Sequence, residues 1–253
     1  MLEAILYTLI SVLLVSLISF IGALSLFFKT KKLSHILLIL VSLSAGSLFG
    51  GAFLHLLPEI VEKKGFTIAV SLQVLFGLVL FFILEKIIHW HRCHQTHLHE
   101  GHKNEHIGLL NLVGDGMHNF LDGLIISGSY LLDIHLGLVT TIAVVLHEIP
   151  QEIADFGVLI YSGYSKAKAL FFNFASAAIA ILGAIVGLAL GAKSEIYVDM
   201  IIPIAVGGFI YIAGSNLVPE LHKECQLFKE SVWHLLGFLL GIVLMLILSL
   251  IGI

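Results

Sequence analysis

Long apolar segments alternate with short polar breaks along the whole chain. A helix needs about 20 apolar residues to cross the hydrocarbon core of a bilayer, and eight segments of roughly that length can be distinguished. They lie near residues 4–28, 34–58, 66–88, 107–131, 136–161, 165–191, 199–221 and 231–253. The pattern predicts an all-α polytopic membrane protein with eight transmembrane helices, folded as a single transmembrane domain over residues 1–253.

The composition agrees with this class. Hydrophobic residues make up 58% of the 253 positions and charged residues 12%, whereas soluble proteins are about 45–50% apolar. A net charge of -4 offers no basic face, which argues against a nucleic-acid partner and leaves the lipid bilayer as the surrounding medium. The first segment begins with Glu3 and lacks a cleavage site, so it is interpreted as a retained helix and not a signal peptide.

Lysine and arginine are distributed unequally between the two sides. The loops after spans one, three, five and seven hold ten of the thirteen, and the other side holds only Lys63, Lys64 and Lys193. Because basic loops stay cytoplasmic, both termini are expected outside, and the expected location is the plasma (inner) membrane.

The ends of spans two and seven are similar. At a constant offset, "GSLFGGAFLHLLPEI" from Gly46 matches "GGFIYIAGSNLVPEL" from Gly207 at five positions, including the Pro-Glu pair. The two spans run in opposite directions under the orientation above, which is typical of the inverted repeat of a transporter. The alternative is that Pro-Glu simply ends each helix at the interface.

Two polar strings interrupt the middle of neighbouring spans. "HNFLDG" begins at His118 in span four, and "HEIPQE" begins at His147 in span five. A short connection makes these spans adjacent and antiparallel, and at 1.5 Å per residue both histidines lie about 16 Å from a helix end, near the midplane. Helical spacing places His118 with Asp122 on one face and His147 with Gln151 on another.

The acids in these spans lack a permanent cation. A carboxylate at a helix centre costs about 2.5–3.5 kcal/mol, so Asp122, Glu148 and Glu152 together approach about 8–10 kcal/mol if unpaired. No Lys or Arg occurs between Lys103 and Lys166. The remaining partners are protons, protonated histidine or a metal ion, and imidazoles beside carboxylate and amide oxygens suit a divalent first-row cation. The alternative is a set of polar groups that bond helix to helix as packing contacts.

Pro150 lies within the second string. A proline at this position removes the hydrogen bond to the Leu146 carbonyl. Such a freed carbonyl is tolerated at membrane depth only where it faces protein or a wet cavity.

The strings HNFLDG and HEIPQEIADF closely resemble the paired motifs of the ZIP (Zrt/Irt-like) metal transporter family, nearest the branch that carries HNFxDG and HEIPHE. HLLPE at His55–Glu59 is also similar to that family. The resemblance implies eight helices in a 3+2+3 arrangement, with an inner bundle of spans two, four, five and seven. It implies a transporter and not an enzyme, moving Zn²⁺ toward the cytoplasm, with Fe²⁺, Mn²⁺ and Cd²⁺ as alternative ions and a homodimer left open.

The same resemblance implies two ligand sets. One metal site would use His118, Asp122, His147 and Gln151, and an adjoining site would use Asn119, Glu148 and Asn216. The related branch usually has His at the position of Gln151 and an acid at that of Asn216. Amides are weaker, uncharged ligands than imidazole or carboxylate. The two amides therefore affect two expectations, the existence of the second site and the choice of metal.

Three further side chains are candidates for the ion pathway. Glu152 and Asp155 follow the second string, and His55 aligns with Asn216 in the internal repeat. For His55 the alternative is a core histidine bonded to a neighbouring carbonyl.

Residues 89–106 form a histidine-rich connection on the predicted cytoplasmic side. Its spacing follows no zinc-finger pattern, so the hypothesis is weak capture of released metal by a flexible tract, and the alternative is a solvated linker. The candidate ligands are His91, His94, His97, His99 and His102.

Two other functions remain open from the residues alone. HEIPQ resembles a broken HExxH of an intramembrane metalloprotease, but Gln151 replaces the final His and Pro150 interrupts the helix. A proton-coupled carrier of another solute would use the same carboxylates as a relay without a metal.

Overall fold

The protein is described by a computed structural model covering residues 2–27, 30–95, 103–191, 195–222 and 228–250. These residues are almost entirely helical. The elements are α1 (Leu2–Ile18) with a 3₁₀ continuation (Ser19–Phe27), α2 (Thr30–Gly51), a π-helix (Ala52–Leu56), α3 (Leu57–Lys64), α4 (Ile68–Gln95), α5 (Lys103–Leu132), α6 (Ile134–Tyr161), α7 (Lys166–Ala177), α8 (Ile179–Gly191), α9 (Glu195–Tyr211), a second π-helix (Ile212–Leu217), α10 (Val218–Glu220) and α11 (Phe228–Leu250).

These elements follow the predicted apolar segments to within a few residues, apart from the longer α4. Among the described residues, seven helical stretches are long and apolar enough to cross a membrane, which confirms an all-α polytopic membrane protein. The stretch missing from the seven is α5. It is 30 residues long, but polar residues such as Asp115, Asn119 and Asp122 lower its mean hydropathy.

The histidine-rich connection is only partly described. Helix α4 continues to Gln95, beyond the predicted end of span three, so the backbone at His91 and His94 is helical. The side chains in this stretch are not described, and His97, His99 and His102 lie outside the described residues. Weak metal capture by this tract therefore stays a prediction.

Two of the four prolines follow π-helical segments at equivalent places in the predicted repeat. The first π-helix leads to Pro58 and the second to Pro219, each the second residue of the short helix that follows. Proline has no N–H, and its ring clashes with the carbonyl four residues earlier in an α-helix. The wider π turn, in which N–H groups reach back five residues, accommodates this change without ending the helix.

The other two prolines lie inside helices, and each frees a carbonyl that another helix binds. Pro150 in α6 frees the Leu146 carbonyl, which accepts a hydrogen bond from Ser44 Oγ of α2 at 2.5 Å. Pro203 in α9 frees the Asp199 carbonyl, which accepts from Lys64 Nζ of α3 at 3.2 Å. The freed oxygen in α6 therefore faces protein, as the sequence predicted.

Three helix pairs approach each other through glycines. A Cβ on any of these glycines would strike the backbone of the partner helix, so each pair has a seam that only glycine permits. The pairs are Gly46 with Gly241 (α2 and α11), Gly77 with Gly207 (α4 and α9), and Gly123 with Gly183 (α5 and α8).

Helix α6 lies at the centre of these pairs. It packs against α5, α2, α1 and the 3₁₀ continuation of α1, and fourteen of its side chains are buried. Its N-terminus is fixed by Asp133, whose side chain accepts hydrogen bonds from the backbone N–H groups of His135 and Leu136. This cap forms the tight antiparallel connection between α5 and α6 that the sequence predicted.

Candidate metal centre

Four ligand atoms from the two polar strings converge between α5 and α6. His118 and Asp122 come from α5, His147 and Glu148 come from α6, and one ligand atom of each lies within 4.8 Å of the others. The two Nε2 atoms are 3.1 Å apart. Asp122 Oδ2 lies 3.6 and 3.3 Å from the Nε2 atoms of His118 and His147, and Glu148 Oε1 lies 3.4 Å from each.

The two carboxylates of this group are fully buried and lack hydrogen-bond donors. Asp122 and Glu148 are 0% exposed, and within the described residues none of their four oxygens accepts a hydrogen bond. The basic groups nearest to them among the described residues are the two imidazoles, and Glu148 also lies beside other carboxylates. Because a buried, unpaired carboxylate is costly, a cation between these four side chains would stabilise the arrangement.

The orientation of His147 suits it for binding a cation. Its Nδ1 lies 3.0 Å from the Ala143 carbonyl, and since a carbonyl can only accept, Nδ1–H must donate. In the neutral ring this leaves the Nε2 lone pair directed at the other ligands. A hydrogen bond from the second ring nitrogen to a backbone carbonyl is the usual support of a metal-binding histidine.

The amides of the implied ligand sets lie in different places. Gln151 Nε2 donates to Asp115 Oδ1 at 3.3 Å, so its amide holds a carboxylate. Asn119 donates to the same oxygen at 2.9 Å, and its own buried Oδ1 has no donor among the described residues. Asn216 is exposed and lines a cavity beside the centre.

Asp115 is a site residue that the sequence interpretation missed. Carboxylate oxygens of Asp115, Glu148 and Glu152 lie within 4.8 Å of one another and form a second group, which shares Glu148 with the first. The signal was present in the spacing. Asp115 lies four residues before Asn119 and seven before Asp122, so all three share one face of α5.

The three pathway candidates are separated by the structure. Glu152 Oε2 accepts from Asn173 Nδ2 of α7 at 2.5 Å, and Asp155 Oδ1 accepts from Asn111 of α5 at 2.9 Å. Both lie on the α6 face that carries Glu148. His55 Nε2 donates to the Met245 carbonyl at 2.8 Å. This is the bond that the core-histidine alternative predicts, although His55 also lines a cavity.

Two cavities lie toward opposite ends of α5 and α6. The first, here called the His118 cavity, has a volume of about 270 Å³ and reaches the metal centre. Its polar lining residues are Glu85, Asn111, Asp115, His118, Gln151, Asp155, Tyr211 and Asn216. The second, the His55 cavity, has a volume of about 210 Å³ and is lined by His55, Glu59, Glu62, Asp133 and His135 among its polar residues.

Comparison with known proteins identifies the family of this chain. The family model described as "ZIP Zinc transporter" matches residues 2–108 and 91–249. The chain is 30% identical to a zinc transporter ZIP13 homolog of Drosophila melanogaster, over 88% of this chain and 80% of the relative. It is 33% identical to the zinc transporter ZIP13 of Pongo abelii over 83% of this chain and 66% of the relative, and 40% identical to the zinc transporter zipt-7.2 of Caenorhabditis elegans over 54% and 30%.

The protein is therefore a membrane-embedded transporter of divalent metal ions. The chain belongs to the ZIP family of zinc transporters, as its paired motifs predicted. Members of this family are transporters and not enzymes, so the protease alternative is not favoured.

Proposed function

We propose that this protein carries Zn²⁺ across its membrane into the cytoplasm and holds the ion midway between His118, Asp122, His147 and Glu148. The observation that carries the proposal is the convergence of two imidazoles and two carboxylates within 4.8 Å, in the middle of helices that contain no Lys or Arg between residues 104 and 165. Two nitrogen and two oxygen ligands form a set that zinc commonly binds. They would replace the hydration shell of the ion as it crosses.

The access route in this proposal runs through the His118 cavity. The side chain of His118 is 16% exposed and lines that cavity, whereas those of Asp122 and His147 are 0% and 1% exposed. The cavity also includes Asn111, near the Lys103 end of α5, which the lysine distribution assigns to the cytoplasm. If both termini lie outside, the His118 cavity would face the cytoplasm, which supports release of Zn²⁺ on that side.

The 3+2+3 arrangement and inverted repeat are supported by matching features in spans two and seven. Both spans contain a π-helix before Pro-Glu. Gly46 of span two packs on α11, and its equivalent Gly207 of span seven packs on α4. An inverted repeat pairs span three with span eight, so these two contacts are exchanged by the same symmetry.

The choice of Zn²⁺ is supported by the names of several relatives, which are zinc transporters, and by the two imidazole ligands. Fe²⁺, Mn²⁺ and Cd²⁺ are alternative ions, because affinity at such a site follows ligand chemistry as well as availability. Competition with ⁶⁵Zn uptake would rank these ions.

The experiment measures ⁶⁵Zn uptake into liposomes that contain the purified protein. We expect His147→Ala to reduce uptake to background, because it removes a central ligand that is held in place by Ala143. His222→Ala is the matched control, since His222 is exposed near the end of span seven, and it should transport normally. Normal uptake by a correctly inserted His147→Ala protein would contradict the proposal.

A further inference from the structure

We propose that Asp115, Glu148 and Glu152 form a second cation site made only of oxygen ligands, beside the His118–His147 centre. Asp115 and Glu152 belong to neither ligand set that the family resemblance implies. Carboxylate oxygens of the three residues lie within 4.8 Å of one another, and exposure of the residues is 5%, 0% and 0%. The site would take a hard divalent ion such as Mn²⁺, which carboxylates suit.

Amide groups fix each outer carboxylate of this oxygen site by one oxygen and leave the other free. Asp115 Oδ1 accepts from Asn119 and Gln151, and Asp115 Oδ2 has no donor in the described part of the chain. Glu152 Oε2 accepts from Asn173, and Glu152 Oε1 likewise has none. Each outer carboxylate is therefore held in place through one oxygen before an ion arrives, which lowers the cost of ordering it around the ion.

Asn173 is anchored on several sides, so the Glu152 carboxylate is held firmly. Its Nδ2 lies within 3.3 Å of the backbone carbonyls of Ser19 and Glu152 as well as 2.5 Å from Glu152 Oε2. Asn173 thereby links α7, α6 and the 3₁₀ continuation of α1 at the oxygen site. A connection of this kind positions a ligand without contacting the ion itself.

Two divalent ions would balance the charges of four carboxylates, those of Asp115, Asp122, Glu148 and Glu152. One ion between His118 and His147 balances the charges of Asp122 and Glu148. It leaves Asp115 and Glu152 buried, with hydrogen bonds from amides but with no cationic side chain beside them among the described residues. A second divalent ion balances these two, whereas uncompensated carboxylates at this depth are costly.

The spacing of the three oxygens is compatible with a hard ion. The three oxygens lie no more than 4.8 Å apart. The centre of a triangle with sides of 4.8 Å is about 2.8 Å from each corner, so an ion at that centre would be close to coordinating distance from all three oxygens. Ca²⁺ binds oxygens at about 2.3–2.6 Å, so a small inward movement would bring the three oxygens to coordinating distance. Water molecules would supply the remaining ligands of the ion. Unlike the first centre, this one offers no imidazole nitrogen, and Zn²⁺ should prefer the first.

The experiment measures Mn²⁺ binding to the full chain in detergent, through loss of the free Mn²⁺ electron paramagnetic resonance signal. After one equivalent of Zn²⁺ is added, the unaltered protein should bind one further Mn²⁺ per chain. The double variant Asp115→Asn with Glu152→Gln should bind Mn²⁺ at least tenfold more weakly and keep its Zn²⁺. The double variant His118→Ala with His147→Ala should lose tight Zn²⁺ binding and keep Mn²⁺.

A milder variant keeps the test informative if the first one does not fold. Asn173→Ala leaves all three carboxylates in place and should weaken Mn²⁺ binding several-fold, because Glu152 loses its alignment. Unchanged Mn²⁺ affinity in either variant, or no Mn²⁺ bound beside Zn²⁺, would overturn the oxygen site. The oxygen site rests on the proposed function only through the shared Glu148. If the proposed function itself were wrong, that would appear in a separate experiment, as normal ⁶⁵Zn uptake by His147→Ala.

Discussion

The His118 cavity and the His55 cavity have similar volumes, but only the first reaches the metal centre. On the His118 side, polar residues continue along α5 and α6 beyond the four central ligands, as Asp115, Gln151 and Asp155 line the cavity. On the other side, the residues one helical turn beyond the ligands are Ile126 and Ala143, both fully buried. The candidate centre therefore borders a polar cavity on one side and buried apolar side chains on the other.

Under the proposed function, this difference would determine the side from which an ion reaches the centre. The buried acids and amides of α5 and α6 lie in one half of each helix. The other half is apolar apart from hydroxyl groups such as those of Ser129 and Thr140, which bond to each other at 3.0 Å, and the four candidate ligands lie at the boundary. An ion can reach the boundary through one cavity while the other side stays sealed, because apolar packing without a wet path excludes a hydrated cation. Access from the His55 side requires the apolar layer to separate.

The largest effect is expected from filling the open cavity. Asn216 is exposed on its wall, so Asn216→Trp should place a large side chain across the route. We expect the ⁶⁵Zn transport rate to fall at least about tenfold, while Zn²⁺ binding measured by calorimetry on the purified protein stays unchanged.

The matched control for this prediction is Asn216→Ala, which removes the amide without adding bulk. Near-normal transport by this variant would also show that Asn216 is not an essential ligand. Equal loss of transport in both variants would contradict the idea that the cavity is the route.

A smaller effect is expected where the sealed side meets the centre. Ser44→Ala removes the hydroxyl that lies 2.5 Å from the Leu146 carbonyl and 2.8 Å from the Leu40 carbonyl of its own helix. A carbonyl buried without a donor costs about 1–3 kcal/mol, and only the Leu146 carbonyl lacks a backbone donor because of Pro150. The unfolding free energy, measured in mixed detergent with increasing dodecyl sulfate, should fall by about that amount. Pro150→Ala restores a backbone N–H, so Ser44→Ala should cost less in that background.

Ser42→Ala is the control for this cycle, since Ser42 Oγ donates to the Ile39 carbonyl of its own helix. Equal costs of Ser44→Ala with and without Pro150 would refute the link between the proline and the hydroxyl.

The acidic residues of the His55 cavity should attract Zn²⁺ electrostatically, and removing one of them should change the KM for Zn²⁺ only a few-fold. Glu62 is exposed and lines that cavity, so Glu62→Gln should raise the KM for Zn²⁺ about two- to threefold at low ionic strength and less at high salt. Glu3→Gln removes the same charge away from the cavity and should leave KM unchanged. A KM that does not respond to Glu62→Gln would argue against capture on this side.

The smallest effect concerns the second carbonyl that a proline frees. Lys64 donates to the Asp199 carbonyl and pairs with the Asp199 carboxylate at 3.0 Å, whereas Lys63 pairs with Glu59 at 2.8 Å on its own helix. We expect Lys64→Met to lower the unfolding free energy by about 0.2–1 kcal/mol and Lys63→Met to change it less. The reverse order would show that the link to α9 adds nothing.

The helical class, the apolar segments and the meeting of His118 with His147 could be predicted from the sequence, because these follow from periodicity and from a short loop. The π-helices before Pro58 and Pro219 could not, since a proline in an apolar run equally predicts a kink or a helix end. The role of Gln151 also escaped prediction. An amide at a ligand position can coordinate an ion through its oxygen or donate a hydrogen bond to a carboxylate through its nitrogen, and at Gln151 the choice depends on Asp115.

Asn173 shows a different limit. It lies in an apolar span 21 residues after Glu152, and no local pattern connects the two. Only packing of α7 against α6 brings them together, so a residue that holds a ligand from a third helix is invisible to motif analysis. Asp115, by contrast, could have been found by continuing the face of Asn119 and Asp122 one turn further.

The polarity of α5 has a consequence for how the chain enters the bilayer during synthesis. Each ionised residue at the centre of an inserting helix opposes partition into lipid by about 2.5–3.5 kcal/mol, and α5 carries Asp115 and Asp122. It would partition poorly by itself and would need α6, which emerges from the ribosome directly afterwards across the turn capped by Asp133. The hairpin, more than either helix alone, is then the unit that the insertion machinery delivers to the membrane.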